Sequence, residues 1–143
     1  MSKEHYQKLQ RLYARAPINT FYQPTMVVEK GRAKIQMTIT DQMHHSAGGV
    51  HGSVYFKLLD DAAFFAANSI EEKVFVLTSD FHIRFLRPIS EGIITATGWI
   101  THSGRKNILA QSELHDAQGK LVGSGQGSFA RSSILLHPDC GYE

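Results

Sequence analysis

The stretch HHSAGGVHGSVYFKLLDDAAFFAANS, residues 44–69, changes character in its middle. It opens as a polar loop containing Gly48, Gly49 and Gly52. From about residue 53 to residue 68 it takes on helical spacing. Val54, Leu58, Ala62 and Phe65 fall on one face, and Tyr55, Leu59, Ala63 and Ala66 on another. A helix that is apolar nearly all round is a buried helix. Lys57, Asp60 and Asp61 nevertheless sit inside it. A carboxylate in such a place is costly unless it is paired or used. Asp61, four residues after Lys57, has the spacing of a structural ion pair. Asp60 is the acid left over for chemistry, with a pairing to Lys57 at (i, i+3) as its structural alternative.

Outward from this helix the chain reads as strands. Residues 26–28 and 33–40 flank the turn 29–32, and Ala33, Ile35, Met37 and Ile39 alternate with polar residues. That is a strand with one wet face. After the helix, strand signals follow at 74–77 and 81–86, which together could form one bent strand, and at 93–101, 108–114 and 120–130. In the last of these, Gly123, Gly125 and Gly127 share one face. Glycines in a strand leave room for another backbone to come close. A flat sheet of short strands cannot cover a long apolar helix, but a strongly curved one can. The expectation is therefore α+β: a curved antiparallel sheet around one buried helix. Residues 3–16 have the periodicity of an amphipathic helix stopped by Pro17, and residues 132–143 read as a short tail.

The chain has 143 residues, 42% hydrophobic and 20% charged, with a formal charge of +2. This fits a single domain over 1–143. Lys and Arg are scattered, so no nucleic-acid or anionic-membrane surface is expected. No run approaches the roughly 20 apolar residues of a membrane span. Cys140 is the one cysteine, and the first residues lack the apolar core of a signal peptide, so a cytoplasmic setting is expected.

Three blocks carry a resemblance. The first is Gly48-x-x-His51-Gly52-Ser53 with Leu58-Leu59-Asp60, the acid nine residues after His51. The second is TSDFHIRFLRP, residues 78–88. The third is the Gly104-Arg105 turn with the glycine-containing last strand. Together they span roughly residues 20–131 and resemble the PaaI-like hotdog-fold thioesterases of the 4-hydroxybenzoyl-CoA thioesterase superfamily. The resemblance implies a hotdog fold, an acyl-CoA substrate, and a homodimer or dimer of dimers with sites shared between chains.

It also implies roles. Asp60 matches the family's helix carboxylate, Gly52 its backbone oxyanion donor, and Thr78 a hydroxyl ten residues before Pro88. The family often has Asn six residues before the motif histidine. Here His45 stands there, and a neutral imidazole could hold a water by accepting a hydrogen bond. The family often reads His-Gly-Gly, whereas Ser53 here adds a side chain that narrows the substrate site. His51 reads as a helix-start or loop-anchoring residue bordering that site. Among the basic residues, Arg87 and Arg105 are candidates for the CoA phosphates.

Backbone N–H groups at a helix N-terminus suit a developing oxyanion, and a carboxylate can serve as base or nucleophile. Asp60 lies about 12 Å along the helix from Gly52, so one helix cannot bring both to one carbonyl. A second helix, antiparallel across a dimer axis, could. His44, His45 and His51 fit no zinc spacing and have no cysteine to help, so neither metal nor cofactor is expected. The expected function is acyl-CoA thioester hydrolysis. The alternatives are a hotdog acyl-CoA hydratase or dehydratase and a non-catalytic acyl-CoA-binding protein.

Overall fold

A computed structural model describes residues 3–143. The central helix, α3, spans Gly52–Asn68, and α1 (Lys3–Arg15) and α2 (Asn19–Tyr22) precede it. The strands are β1 (Thr25–Glu29), β2 (Arg32–Thr38), β3 (Val74–Phe85), β4 (Ile93–Ser103), β5 (Asn107–His115) and β6 (Leu121–Leu135). They form one antiparallel sheet in the order β1-β2-β4-β5-β6-β3. Every strand touches α3. This is the α+β hotdog arrangement that the resemblance implies. The two apolar segments after α3 are one strand, β3, with register shifts at 74/76 and 78/80.

The helix is buried as its all-round apolar pattern requires. Leu58, Leu59, Ala62, Ala63 and Ala66 are fully enclosed. Each enclosed leucine contributes about 1.5–3 kcal/mol. In β2, Ala33, Ile35 and Met37 point to the core and their neighbours to solvent. A Cβ at Gly98 of β4 would run into the Ala62 carbonyl, so this glycine lets β4 close on the helix backbone. Gly123 meets Leu59 and Tyr55 of α3. Gly125 and Gly127 differ from expectation. Their bare face seats the ring of Phe81, from the neighbouring strand β3, rather than the helix.

Residues 132–143 are more than a tail. β6 continues to Leu135, and a 3-10 turn follows at Pro138–Cys140. Tyr142 O–H donates to His5 Nδ1 at 2.8 Å, Arg15 pairs with Glu143 at 2.7 Å, and Arg11 bonds the Glu143 backbone. The last residues thereby dock on α1. Among the described residues, no helix is long and apolar enough to cross a membrane.

Candidate active site

The loop before α3 is tied down from both sides. His51 N–H donates to Met43 O and Val50 N–H to Ile89 O, both at 2.8 Å. His51 is the N-cap: its Nδ1 accepts from Ser53 N–H at 3.0 Å and lies 2.8 Å from Ser53 Oγ. The sequence reading of His51 as a helix-start residue therefore matches its position. Ser53 completes this cap. Val54 N–H closes on His51 O at 3.0 Å. No acceptor among the described residues takes the Gly52 N–H. Gly52 thus holds an orphan donor of the first helical turn, at the positive end of the helix dipole.

His45 sits in the same loop. Its Nδ1 accepts from Ala47 N–H at 3.1 Å, which leaves Nε2 to carry the proton of the neutral ring. The accepting role that sequence reasoning allowed for is already taken. His45 can present a donor, in the same cleft as Gly52. That cleft has a volume of about 470 Å³ and is also bordered by Arg87 and Phe85.

Asp60 lies two turns further along α3. Thr78 Oγ1 donates to Asp60 Oδ1 at 2.9 Å, which leaves Oδ2 open. Burial pushes the Asp60 carboxyl up to about 6; the Thr78 hydrogen bond opposes the rise, Asp61 adds to it and Lys57 lowers it. A carboxyl poised there is ionised at neutral pH yet basic enough to take a proton from water. The register shift between Thr78 and Asp80 falls where Thr78 reaches the helix. Bulges re-aim side chains at such places.

Asp61 does the structural work expected of it. Lys57 Nζ reaches Asp61 Oδ2 at 2.6 Å, and Tyr13 O–H donates to the same oxygen at 2.7 Å. Lys57 also lies over the rings of Tyr13 and Tyr22, at 5.3 and 5.1 Å. Burial first, and the Asp61 charge next, raise the Tyr13 phenol well above its ordinary range, so it stays a donor. The Lys57 ammonium is bonded to Asp61, and Asp60 is left to Thr78. Tyr13 and Tyr22 are not visible as partners in the sequence, because helix spacing reveals only neighbours on the same helix.

The candidate residues fall into two groups. His45, Gly52 and Arg87 share the end of the molecule where β3 finishes. Asp60 and Thr78 lie towards the start of β3. Arg105 is exposed in the turn between β4 and β5, where its carbonyl accepts from Arg131. That turn is next to Ala130, one residue along β6 from the partner of Thr78. Along α3, Gly52 of the first group and Asp60 of the second are about 12 Å apart by helix rise. β3, the strand that runs between them, is an edge strand with one unpaired side.

The family model described as "Thioesterase superfamily" matches residues 47–123. The acyl-coenzyme A thioesterase PaaI of Escherichia coli K12 is 32% identical over 105 residues, covering 73% of this chain and 74% of its own. The 1,4-dihydroxy-2-naphthoyl-CoA hydrolase of Listeria monocytogenes is 32% identical over 96 residues, 66% of this chain and 78% of its own. The solved structure of E. coli PaaI superposes with a TM-score of 0.85 at 26% identity, covering 94% of this chain and 97% of that one. With these relatives and this fold, the chain belongs to the thioesterase superfamily, as a PaaI-like hotdog thioesterase.

Proposed function

We propose that this protein hydrolyses an acyl- or aryl-CoA thioester to the free acid and CoA, and that Asp60 and Gly52 carry the reaction. The observation that carries the assignment is the Asp60 carboxyl. It is half-buried, bonded by Thr78 and raised to about 6, on the same helix whose first N–H, at Gly52, has no partner among the described residues. Thioesterase relatives support the reaction class.

The thioester carbonyl accepts from Gly52 N–H, with His45 Nε2–H as a second donor in the same cleft. Asp60 Oδ2 takes a proton from water as it adds to the carbonyl; in the nucleophilic alternative it attacks the carbonyl itself, CoA is expelled, and water then hydrolyses the acyl–Asp60 anhydride. Negative charge on the carbonyl oxygen is held at the helix N-terminus. The C–S bond then breaks, and the thiolate takes up the proton that Asp60 drew from water or, in the nucleophilic route, one from solvent. Arg87 and Arg105 are placed at chain surfaces where the phosphates of CoA could meet them.

Gly52 and Asp60 are about 12 Å apart along α3, so the working unit is a homodimer, or a pair of such dimers. The twelve-residue edge strand β3 is the surface for it. An unpaired edge of that length is a template for another strand. Two-fold pairing there would bring Asp60 and Thr78 of each chain towards Gly52 of the other. The lone cysteine, with no disulfide within the chain, supports a cytoplasmic setting.

The test is release of CoA thiol, followed with DTNB, across a panel of acyl- and aryl-CoA esters. Wild-type protein should release thiol and Asp60→Asn should not. Equal thiol release by both would refute the assignment.

A further inference from the structure

Two cavities reach Gly52. One, of about 470 Å³, has His45 and Arg87 on its walls. The other, of about 580 Å³, is bordered by Ile18, Tyr22, Phe56, Lys57 and Phe81. Gly52 and Phe85 border both. Phe85 is the partition between them. A Cβ on Gly52 would lie 3.1 Å from the Phe85 ring, which also packs edge-on against Tyr55 at 5.2 Å.

A thioester whose carbonyl rests on Gly52 N–H has two arms, and they differ in chemistry. The CoA arm is polar and carries phosphates. The acyl arm is apolar. The cavity with Arg87 suits the first. The other cavity is lined mostly by aromatic and aliphatic side chains; of its polar ones, Ser53 is bonded to His51, Lys57 is bonded to Asp61 and covered by tyrosine rings, and His82 is the third.

On the thioesterase reading given above, we propose that the Phe56–Phe81 cavity takes the acyl arm, and that Tyr22 and Ile18 form the wall that sets the size of acyl group admitted. Both come from the segment between α1 and β1, outside the helix and sheet that carry Gly52 and Asp60. That segment is built to hold Tyr22 still. Asn19 Nδ2 donates to Tyr13 O at 2.7 Å, anchoring α2 from its first residue. Gln23 takes φ +50° and returns its N–H to Asn19 O at 2.8 Å, ending the helix directly after Tyr22. A left-handed residue that is not glycine is uncommon and marks a constrained turn. The Tyr22 ring then rests between Lys57 Nζ at 5.1 Å and the edge-on Phe21 ring at 4.9 Å. Ile18 is 59% exposed at the cavity mouth. A braced ring and an isoleucine bordering the same cavity as Phe56 set the size limit.

The experiment measures kcat/KM along a series from butanoyl-CoA to dodecanoyl-CoA, with benzoyl-CoA as a compact aryl member. Tyr22→Ala should shift the long-to-short ratio of kcat/KM towards longer chains by about tenfold or more, the scale on which a pocket discriminates methylenes. Tyr22→Phe keeps the ring and should keep the wild-type ratio. Ile18→Ala, at an exposed position, should shift the ratio the same way by a few-fold. Arg87→Ala should raise KM by a similar factor for every member. If Tyr22→Ala fails to fold by circular dichroism, Ile18→Ala alone decides.

An unchanged ratio in the folded variants overturns the proposal. So does a uniform loss across the series accompanied by a smaller mass on size exclusion, which would make Tyr22 a subunit contact. If wild-type protein hydrolyses no member at all, the thioesterase reading itself has failed. A wild type that turns over the series, beside a Tyr22→Ala with the same profile, sinks the acyl wall alone.

Discussion

At the C-terminal end of α3 nearly every polar group is used. Asn68 Nδ2 donates to the carbonyls of Glu71 and Val74, and its Oδ1 accepts from Val76 N–H. Its own carbonyl accepts from His5 Nε2 at 3.0 Å. Ser69 Oγ donates to Ala66 O and accepts from Gly31 N–H. Both side chains are fully buried. At the N-terminal end, His51 and Ser53 satisfy one another while Gly52 N–H is left open, and two cavities converge on it. One end is sealed by hydrogen bonds to the N-terminal helix and the sheet. The other is held in place by its loop but kept unfilled. On the proposed mechanism the open end supplies an oxyanion donor, which works only if it is already in position, and the sealed end anchors the helix that holds it.

This contrast can be broken at either end. The largest effect is expected at Asp60. Asp60→Asn should lower kcat by about 10²–10⁴-fold, the range of a lost general base. The same variant should gain stability. Burial raises the carboxyl to about 6, so the folded state holds that proton more tightly than the unfolded state. Folding therefore loses stability as pH rises from the ordinary carboxylate range to about 6. Asn68 carries no such charge cost to relieve, and it belongs to the sealed end. Asn68→Ala strands the buried Val76 N–H, at about 1–3 kcal/mol, and leaves the Glu71 and Val74 carbonyls without their donor besides, with kcat per folded molecule unchanged. Thermal melts at pH 4 and pH 7 read both: Asp60→Asn should exceed wild type at pH 7 and converge with it at pH 4, while Asn68→Ala falls below it at both.

Asp61→Asn should cost about 1–3 kcal/mol by weakening a shared bond to Tyr13 and Lys57, yet keep most activity at neutral pH. Since the Asp61 charge helps raise Asp60, the acid limb of the pH–rate profile, expected near pH 6 in wild type, should move to lower pH. Thr78→Val should act in the opposite direction and least. It removes a hydrogen bond that lowers the Asp60 carboxyl, so the limb should move up, with a modest loss of kcat. A limb that stays put in both variants would mean that another group controls it.

Much of this was legible in the chain. Helical spacing placed α3, its apolar faces and the Lys57–Asp61 pair, because all of these depend on residues three or four apart. Strict alternation placed β2. What stayed hidden depends on partners far along the chain. The glycine row of β6 announced a close approach, but its visitor at Gly125 and Gly127 is Phe81, which strand register alone determines. Gly98, which meets the helix backbone, stands alone in the β-branched strand at 93–101, with no second glycine to mark the close approach. The four-residue helix α2 is too short for periodicity to reveal, and its left-handed stop falls on Gln23 rather than on a glycine. Asp60 was legible as an acid out of place, but its hydrogen bond needed β3 laid beside α3.

On the proposed mechanism each site takes Gly52 from one chain and Asp60 from the other. The direct test mixes two lesions. Gly52→Val crowds the donor end. Phe85, the ring 3.1 Å from the added Cβ, is 58% exposed, and circular dichroism and size exclusion check that the variant folds and dimerises. Asp60→Asn removes the base. Each homodimer should be nearly inactive. A heterodimer isolated through two different tags would hold one site with both lesions and one with neither. It should recover about half the wild-type turnover per dimer, because a two-fold dimer contains two such sites. A folded, dimeric but inactive heterodimer would show that both groups serve one carbonyl from the same chain, and would contradict the shared site.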